Sequence, residues 1–203
     1  IFSFLMQHDR LTFPEAVRQL GEHVGVPMPE RGADSNGAQE RLVALMEKAS
    51  SYFERTLAHP QQGKAARAYL QQRGVAQETV RTFRLGLAPA GWDRLLAATR
   101  TTGITAEQLE TAGLVLKGTR GPYDRFRHRL IFPIMDVRGR VVGFGGRSLD
   151  AQEPKYLNSP ETVLYTKGRH LFGLAQAKDA ILKTKTAVVV EGLEQKLAVL
   201  TGI

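Results

Sequence analysis

The sequence contains no cysteine and only one tryptophan among its 203 residues. Without cysteine the chain has no disulfide and no thiolate zinc site, so it suits a reducing compartment. No apolar run approaches the roughly 18 residues that a membrane span needs, and the N-terminus lacks the charge pattern of a signal peptide. These absences predict a cytoplasmic protein with no membrane partner.

The composition that remains is typical of a globular protein. Hydrophobic residues make up 42% of the chain and charged residues 24%. At this length the chain can bury the core of one large domain or of two small ones. The sequence opens at Ile1 on a segment that reads as helix, so we interpret it as a fragment of a longer protein.

Positive charge is concentrated in one segment. Residues 117–185 contain 14 lysines and arginines against 6 acids, whereas the whole chain contains 28 against 20, so the remainder is balanced. A local surplus on a neutral background indicates a surface for a polyanion. The polyanion could be nucleic acid, a nucleoside triphosphate, or both.

The segment 123–173 is expected to carry this surface. It begins with Arg125, Arg127 and Arg129, which are two residues apart. Two is the side-chain period of a β-strand, so all three are predicted to project from one strand face. An ordinary solvated strand face would show the same spacing, and only the charge surplus favours a binding surface.

A β-hairpin is predicted directly after these arginines. Its arms are residues 130–137 and 140–144, and Gly139 supplies the positive φ of the turn. Glycines follow that would let a ligand or another backbone come close: Gly143, Gly145 and Gly146.

The rest of the chain reads mainly as helix. Residues 27–39 are predicted to be a linker, because they are rich in proline, glycine and small polar residues. Apolar periodicity and capping signals predict the helices. They lie at about 12–23, 40–58, 64–72, 78–83, 93–100, 105–112 and 172–183. Residues 85–92 are interpreted as a connector punctuated by glycine and proline.

The last recognisable element is a short apolar run. Residues 186–190 are mostly β-branched and predict a strand of a buried parallel sheet. Glu191 and Gly192 follow at its C-terminal end, where open α/β sheets bind ligands. A carboxylate there, beside a glycine that lets phosphate approach, suits a Mg²⁺ ligand or a general base.

Five blocks resemble a known family. "YDRFR", "FPI.D..GRVVGFGGR", "PKYLNSPET", "KGRHLFGL" and "VVVEG" follow one another in this chain. Their order and spacing resemble the RNA-polymerase domain of bacterial DNA primase, the DnaG type, from residue 1 to about Gly192. The resemblance implies a DNA-directed RNA polymerase that makes short RNA primers on single-stranded DNA during replication.

The resemblance also implies the fold, which is mixed α/β (α+β). Residues 1–26 would be a helical entry segment, and residues 40–185 the helical and β-hairpin N-terminal subdomain with the basic surface. Residues 186–203 would begin a TOPRIM fold, shared with type IA and type II topoisomerases. A zinc-binding module would lie upstream, so Zn²⁺ is expected only there.

Site residues follow from the resemblance residue by residue. Glu191 would be catalytic and would bind Mg²⁺ (or Mn²⁺). The partners would be the template, the RNA primer and nucleoside triphosphates, with the replicative helicase meeting a C-terminal region absent here. DNA or nucleotides would contact Arg73, Arg125, Arg127, Arg147, Lys155, Asn158 and Lys167.

Two departures from the family pattern affect the metal site. Four residues beyond Glu191, where the family has an aspartate, this chain has Gln195, and the sequence ends at Ile203 before any Asp-x-Asp pair. We therefore expect the chain alone to make no primers. The alternatives are a non-catalytic single-stranded nucleic-acid-binding module, or another TOPRIM enzyme such as a topoisomerase or nuclease.

Overall fold

The computed structural model describes residues 4, 6, 8, 13–25, 33–150 and 153–189. The chain forms two compact units, residues 1–38 and 39–203. In the part of the chain that the structure describes, no helix is both long and apolar enough to cross a membrane. Glu191 lies outside these residues.

Seven helices are described. The helices α1 to α7 are Phe13–His23, Ala33–Ala58, Lys64–Gln72, Gln77–Thr82, Arg94–Arg100, Ala106–Thr111 and Leu174–Thr184.

These bounds agree with the sequence prediction within about two residues at most ends. The start predicted for α2, residue 40, was wrong. The helix begins at Ala33 and includes the second half of the predicted linker. The apolar stripe predicted on α2 is confirmed as core, with Met46, Ala49 and Phe53 almost fully buried.

The described residues include six strands in two antiparallel sheets. The strands β1 to β6 are Gly86–Ala88, Val115–Gly118, Gly121–Asp124, Arg129–Met135, Val141–Ser148 and Tyr156–Asn158. Four of them form a sheet in the order β1-β4-β5-β6, and β2 pairs with β3.

The predicted hairpin is confirmed as β4–β5. Asp136 shapes its turn, because one carboxylate oxygen accepts hydrogen bonds from the backbone nitrogens of Arg138 and Arg140 at 2.9 and 3.0 Å. Gly139 has φ +80° there, as the sequence predicted.

Each face of the larger sheet contacts its own apolar cluster. Ile131 and Phe144 belong to the cluster that contains the α2 stripe. Leu130 and Phe132 belong to a cluster that also contains residues of α3 and Leu87 of β1. Because paired residues point to the same face, Arg147 lies on the face of Leu130, its partner in register. The sheet is therefore buried on both faces, and its exposed edge is β6.

Three further sequence expectations were wrong. Arg125 and Arg127 do not lie on a strand, since β3 ends at Asp124 and β4 begins at Arg129, and His128 between them has φ +49°. A left-handed residue breaks the side-chain alternation that the spacing assumed. The connector at 86–88, taken as irregular, is strand β1, which pairs with β4.

The third wrong expectation is the strand predicted at 186–190. Within the described residues, 186–189 are neither strand nor buried, and Val188 and Val189 are largely exposed. A strand needs a neighbour to satisfy its backbone groups, and none of the described strands pairs with this segment.

The glycines of β5 accommodate the protein's own aromatic rings. A Cβ on Gly146 would lie 2.8 Å from a ring carbon of Phe126, and one on Gly143 would lie 3.1 Å from the ring of Tyr165. At these two positions the space that the sequence left for a ligand or backbone is filled by side chains.

Candidate nucleic-acid interface

Arg127 lies on two aromatic rings at the protein surface. Its guanidinium carbon is 4.5 Å from the ring centroid of Trp92 and 5.2 Å from that of Tyr123. The two rings meet edge to face, with centroids 5.6 Å apart. Trp92, the only tryptophan in the chain, is 67% exposed. The cluster therefore presents a large π surface and a cation together, and we call it the Trp92 platform.

A buried carboxylate lies beneath this platform. Asp124 is 2% exposed, and its two oxygens accept hydrogen bonds from the backbone nitrogens of Leu95 and Leu96 at 2.7 and 3.1 Å. Those nitrogens belong to the first turn of α5, where donors lack helical partners. Burial raises the pKa of Asp124 to about 6, against the lowering effect of the two hydrogen bonds.

A second group of cations surrounds Tyr69 on α3. The guanidinium carbon of Arg147, from β5, is 4.4 Å from the ring centroid, and that of Arg73, at the end of α3, is 5.4 Å away. Arg147 is buried and Arg73 is exposed. Two predicted site residues from distant parts of the chain thus share one ring.

Two further predicted residues lie at the edge strand β6, Lys155 just before it and Asn158 at its end. The Lys155 side chain is exposed, with its nitrogen 5.7 Å from the ring centroid of Tyr156. Asn158 is also exposed, and its backbone carbonyl accepts hydrogen bonds from Nε and Nη2 of Arg125 at 3.2 and 2.9 Å. Partial burial lowers the pKa of Arg125. Arg125 therefore joins the segment after β3 to the edge of the larger sheet.

Arg129 has a structural role instead. It is 5% exposed and donates to the backbone carbonyl of Lys155 at 3.3 Å. Burial lowers its pKa from the usual value. The third arginine of the predicted ladder therefore fixes the start of β6 and is not presented to a ligand.

Lys167 lies apart from these groups, in the turn before α7. Its side chain is exposed, and its backbone nitrogen donates to the Glu161 carboxylate at 3.3 Å. No contact joins it to the Trp92 platform or to Tyr69 among the described residues.

Metal ligands are not assembled in the described part of the chain. No group of three histidine, cysteine, aspartate or glutamate side chains there could hold a metal ion. Glu191, the predicted metal ligand, lies outside that part, so its role remains a prediction.

Sequence reasoning missed the aromatic half of the site. Trp92, Tyr123 and Tyr69 each contact a predicted arginine, yet none was selected. One signal was available: the single tryptophan lies in a connector rich in glycine and proline, where an aromatic side chain has little core to enter.

An exposed aromatic ring beside cations, within a basic α+β domain, is compatible with binding of single-stranded nucleic acid, whose bases stack on aromatic side chains. Comparison with known proteins then gives the family. Residues 52–178 match the family described as DNA primase catalytic core, N-terminal domain. The DNA primase of Halalkalibacterium halodurans is 40% identical over 204 residues, which cover 97% of this chain and 34% of that protein.

Solved structures agree. The RNA polymerase domain of Mycobacterium tuberculosis primase DnaG is 42% identical with a TM-score of 0.74, covering 78% of this chain and 52% of that one. A DnaG primase catalytic domain bound to single-stranded DNA is 40% identical with a TM-score of 0.73, covering 80% and 53%. This chain belongs to the family of bacterial DNA primase catalytic cores. It spans about a third of the length of the curated relatives that it matches.

Proposed function

We propose that this chain binds the single-stranded DNA template of a DNA primase, an RNA polymerase that synthesises short RNA primers during replication. The Trp92 platform is the observation that carries the proposal. Exposed rings stack on bases of any sequence, and an adjacent guanidinium neutralises phosphate. The single-stranded DNA bound by a related DnaG catalytic domain supports this choice of partner.

The other predicted residues would hold the backbone of the template or the triphosphate of a nucleotide. Arg73, Lys155 and Lys167 have exposed side chains, so they are accessible to phosphate oxygens. Arg147 would contribute charge from beside Tyr69. Arg125 would act next to Asn158, whose exposed amide offers a hydrogen bond. These cations make the proposed surface a track for DNA and not a single pocket.

Replacement of the platform's cation tests the template-binding role. We expect Arg127→Ala to weaken binding of a single-stranded oligonucleotide about tenfold, because a cation–π and phosphate contact worth about 1–2 kcal/mol is lost. Fluorescence anisotropy of a labelled oligonucleotide measures the change. Arg81→Ala is the matched control, since Arg81 is an exposed arginine of α4 outside the basic segment. Equal affinities of the two variants would contradict the proposal.

Catalysis would depend on Glu191. As a carboxylate after an apolar run, it would hold Mg²⁺ (or Mn²⁺), which neutralises charge on the reacting phosphate oxygens when bound. The RNA primer and nucleoside triphosphates would meet this site, and the replicative helicase would contact a region beyond this sequence. We place the enzyme in the bacterial cytoplasm at the replication fork. The family match does not favour a non-catalytic module, a topoisomerase or a nuclease.

A single substitution separates catalysis from template binding. In a full-length primase that carries this sequence, Glu191→Gln should nearly abolish primer synthesis and leave template affinity almost unchanged. Glutamine keeps the size of glutamate but lacks the charge that a hard cation needs. Primer synthesis and oligonucleotide anisotropy are measured on the same preparations. Equal primer synthesis by the wild type and the variant would remove Glu191 from the metal site.

A further inference from the structure

We propose that Asp124 is a positioning residue that holds Trp92 and Arg127 in place for the template. The inference rests on the proposed function, because it concerns how the same platform is prepared for DNA. Asp124 itself is buried and cannot touch a ligand. It would act through four hydrogen bonds.

Two of the four bonds fix the helix that follows Trp92. The carboxylate accepts from Leu95 and Leu96, the second and third residues of α5. The residue at the usual capping position, Asp93, makes no side-chain capping hydrogen bond. Asp124 therefore supplies from β3, about 30 residues along the chain, the cap that the local sequence does not provide.

The other two bonds reach the platform directly. The backbone nitrogen of Asp124 donates to the carbonyl of Trp92 at 2.7 Å, and its backbone carbonyl accepts from Nη1 of Arg127. These are main-chain bonds, and the carboxylate would support them by fixing residue 124 to the start of α5. One residue thus connects the tryptophan, the arginine and the start of α5. Trp92 is 67% exposed, and its ring contacts Arg127 and Tyr123.

Such an arrangement reduces the entropy lost when DNA binds. A side chain that is already ordered does not lose its rotamer freedom on association, and each ordered side chain strengthens binding by about two- to tenfold. If the Asp124 carboxylate, by fixing the start of α5, orders both Trp92 and Arg127, its loss should weaken template binding about five- to tenfold. Its loss should leave the salt dependence unchanged, because no phosphate contact disappears.

Asp124→Asn tests this role in the 203-residue chain. The probe is a single-stranded oligothymidylate, and the readout is fluorescence from Trp92, the only tryptophan. We expect strong quenching in the wild type, and weaker binding, less quenching and an unchanged salt slope in the variant. The matched control is Asp136→Asn. That residue also accepts from two backbone nitrogens, but in the β4–β5 turn.

Every outcome of this experiment supports or overturns the role of Asp124. Asp136→Asn should keep wild-type affinity and quenching whatever it does to stability. Equal losses in both variants would show a general effect of destabilisation and overturn the role of Asp124. Wild-type affinity and quenching in Asp124→Asn would overturn it as well. An unquenched wild type would contradict the platform itself, and the inference with it.

A measurement without any variant guards against failure of Asp124→Asn to fold. The anisotropy decay of Trp92 in the free wild-type chain should show little nanosecond motion of the ring, with nearly the same amplitude after oligothymidylate binds. A large amplitude that disappears on binding would show that DNA, not Asp124, orders the platform.

Discussion

Arg127 is the cation best placed for contact with a base, because its half-buried guanidinium is held against two rings, of which Trp92 is exposed. Lys155 and Lys167 differ from it in kind. Both are exposed ammonium groups on flexible stems, one at the edge of the sheet and one in the turn before α7. At the scale of single residues, the lysines would contribute charge, and the platform would contribute geometry.

Removal of either lysine should therefore affect binding and not stability. We expect Lys155→Ala and Lys167→Ala each to weaken single-stranded DNA binding severalfold while the free energy of unfolding changes by about 0.5 kcal/mol or less. Anisotropy and urea unfolding measure the two quantities. A large loss of stability in either variant would mean that the lysine has a structural role.

The pKa of Asp124 predicts a pH dependence of stability. Because this pKa is raised from 3.8 to about 6, the folded chain keeps the proton over a range in which the unfolded chain has released it. The free energy of unfolding should therefore fall as pH rises from about 4 to about 6, by at most about 3 kcal/mol from this group.

Asp124→Asn removes this group and isolates its effect. Urea unfolding of the wild type and the variant across pH 4–7 gives the difference in stability between them. As pH rises, the free energy of unfolding of the wild type should fall relative to that of the variant. A difference independent of pH would contradict the raised pKa.

At the scale of elements, helices were predictable and several strands were not. Helix bounds follow from local signals such as the capping box at Thr105, which the structure contains. Strand β1 has three residues and no pattern of its own, and it exists because β4 pairs with it. The apolar run at 186–189 is the opposite case. Its sequence favours a strand, yet it forms no strand, because no described strand lies beside it.

Gly146 ties the irregular segment after β3 to strand β5. We expect Gly146→Ala to destabilise the fold by about 1–3 kcal/mol, because the new methyl group would lie 2.8 Å from the buried ring of Phe126. Thermal or urea unfolding measures the loss. Phe126→Leu is the companion variant. The double variant should lose less stability than the two single changes together, and simple additivity would contradict the proposed clash.

For the whole molecule, the sequence predicted the kind of surface more readily than its contacts. The charge surplus of residues 117–185 predicted a surface for a polyanion, and the family resemblance supplied the individual cations, Arg73 among them. The partners of these cations could not be predicted, because Tyr69 and Arg147 meet only when α3 packs on the sheet. Trp92 and Arg127 likewise meet through the packing of α5 against β3.

This basic chain is proposed to bind single-stranded DNA through several phosphate contacts. The most direct test is the affinity of the 203-residue chain for an oligothymidylate as a function of salt concentration, measured by fluorescence anisotropy. Four or five contacts, at about 0.7 per contact for single strands, predict a log–log slope of about −3 to −4. A slope near zero would contradict the claim.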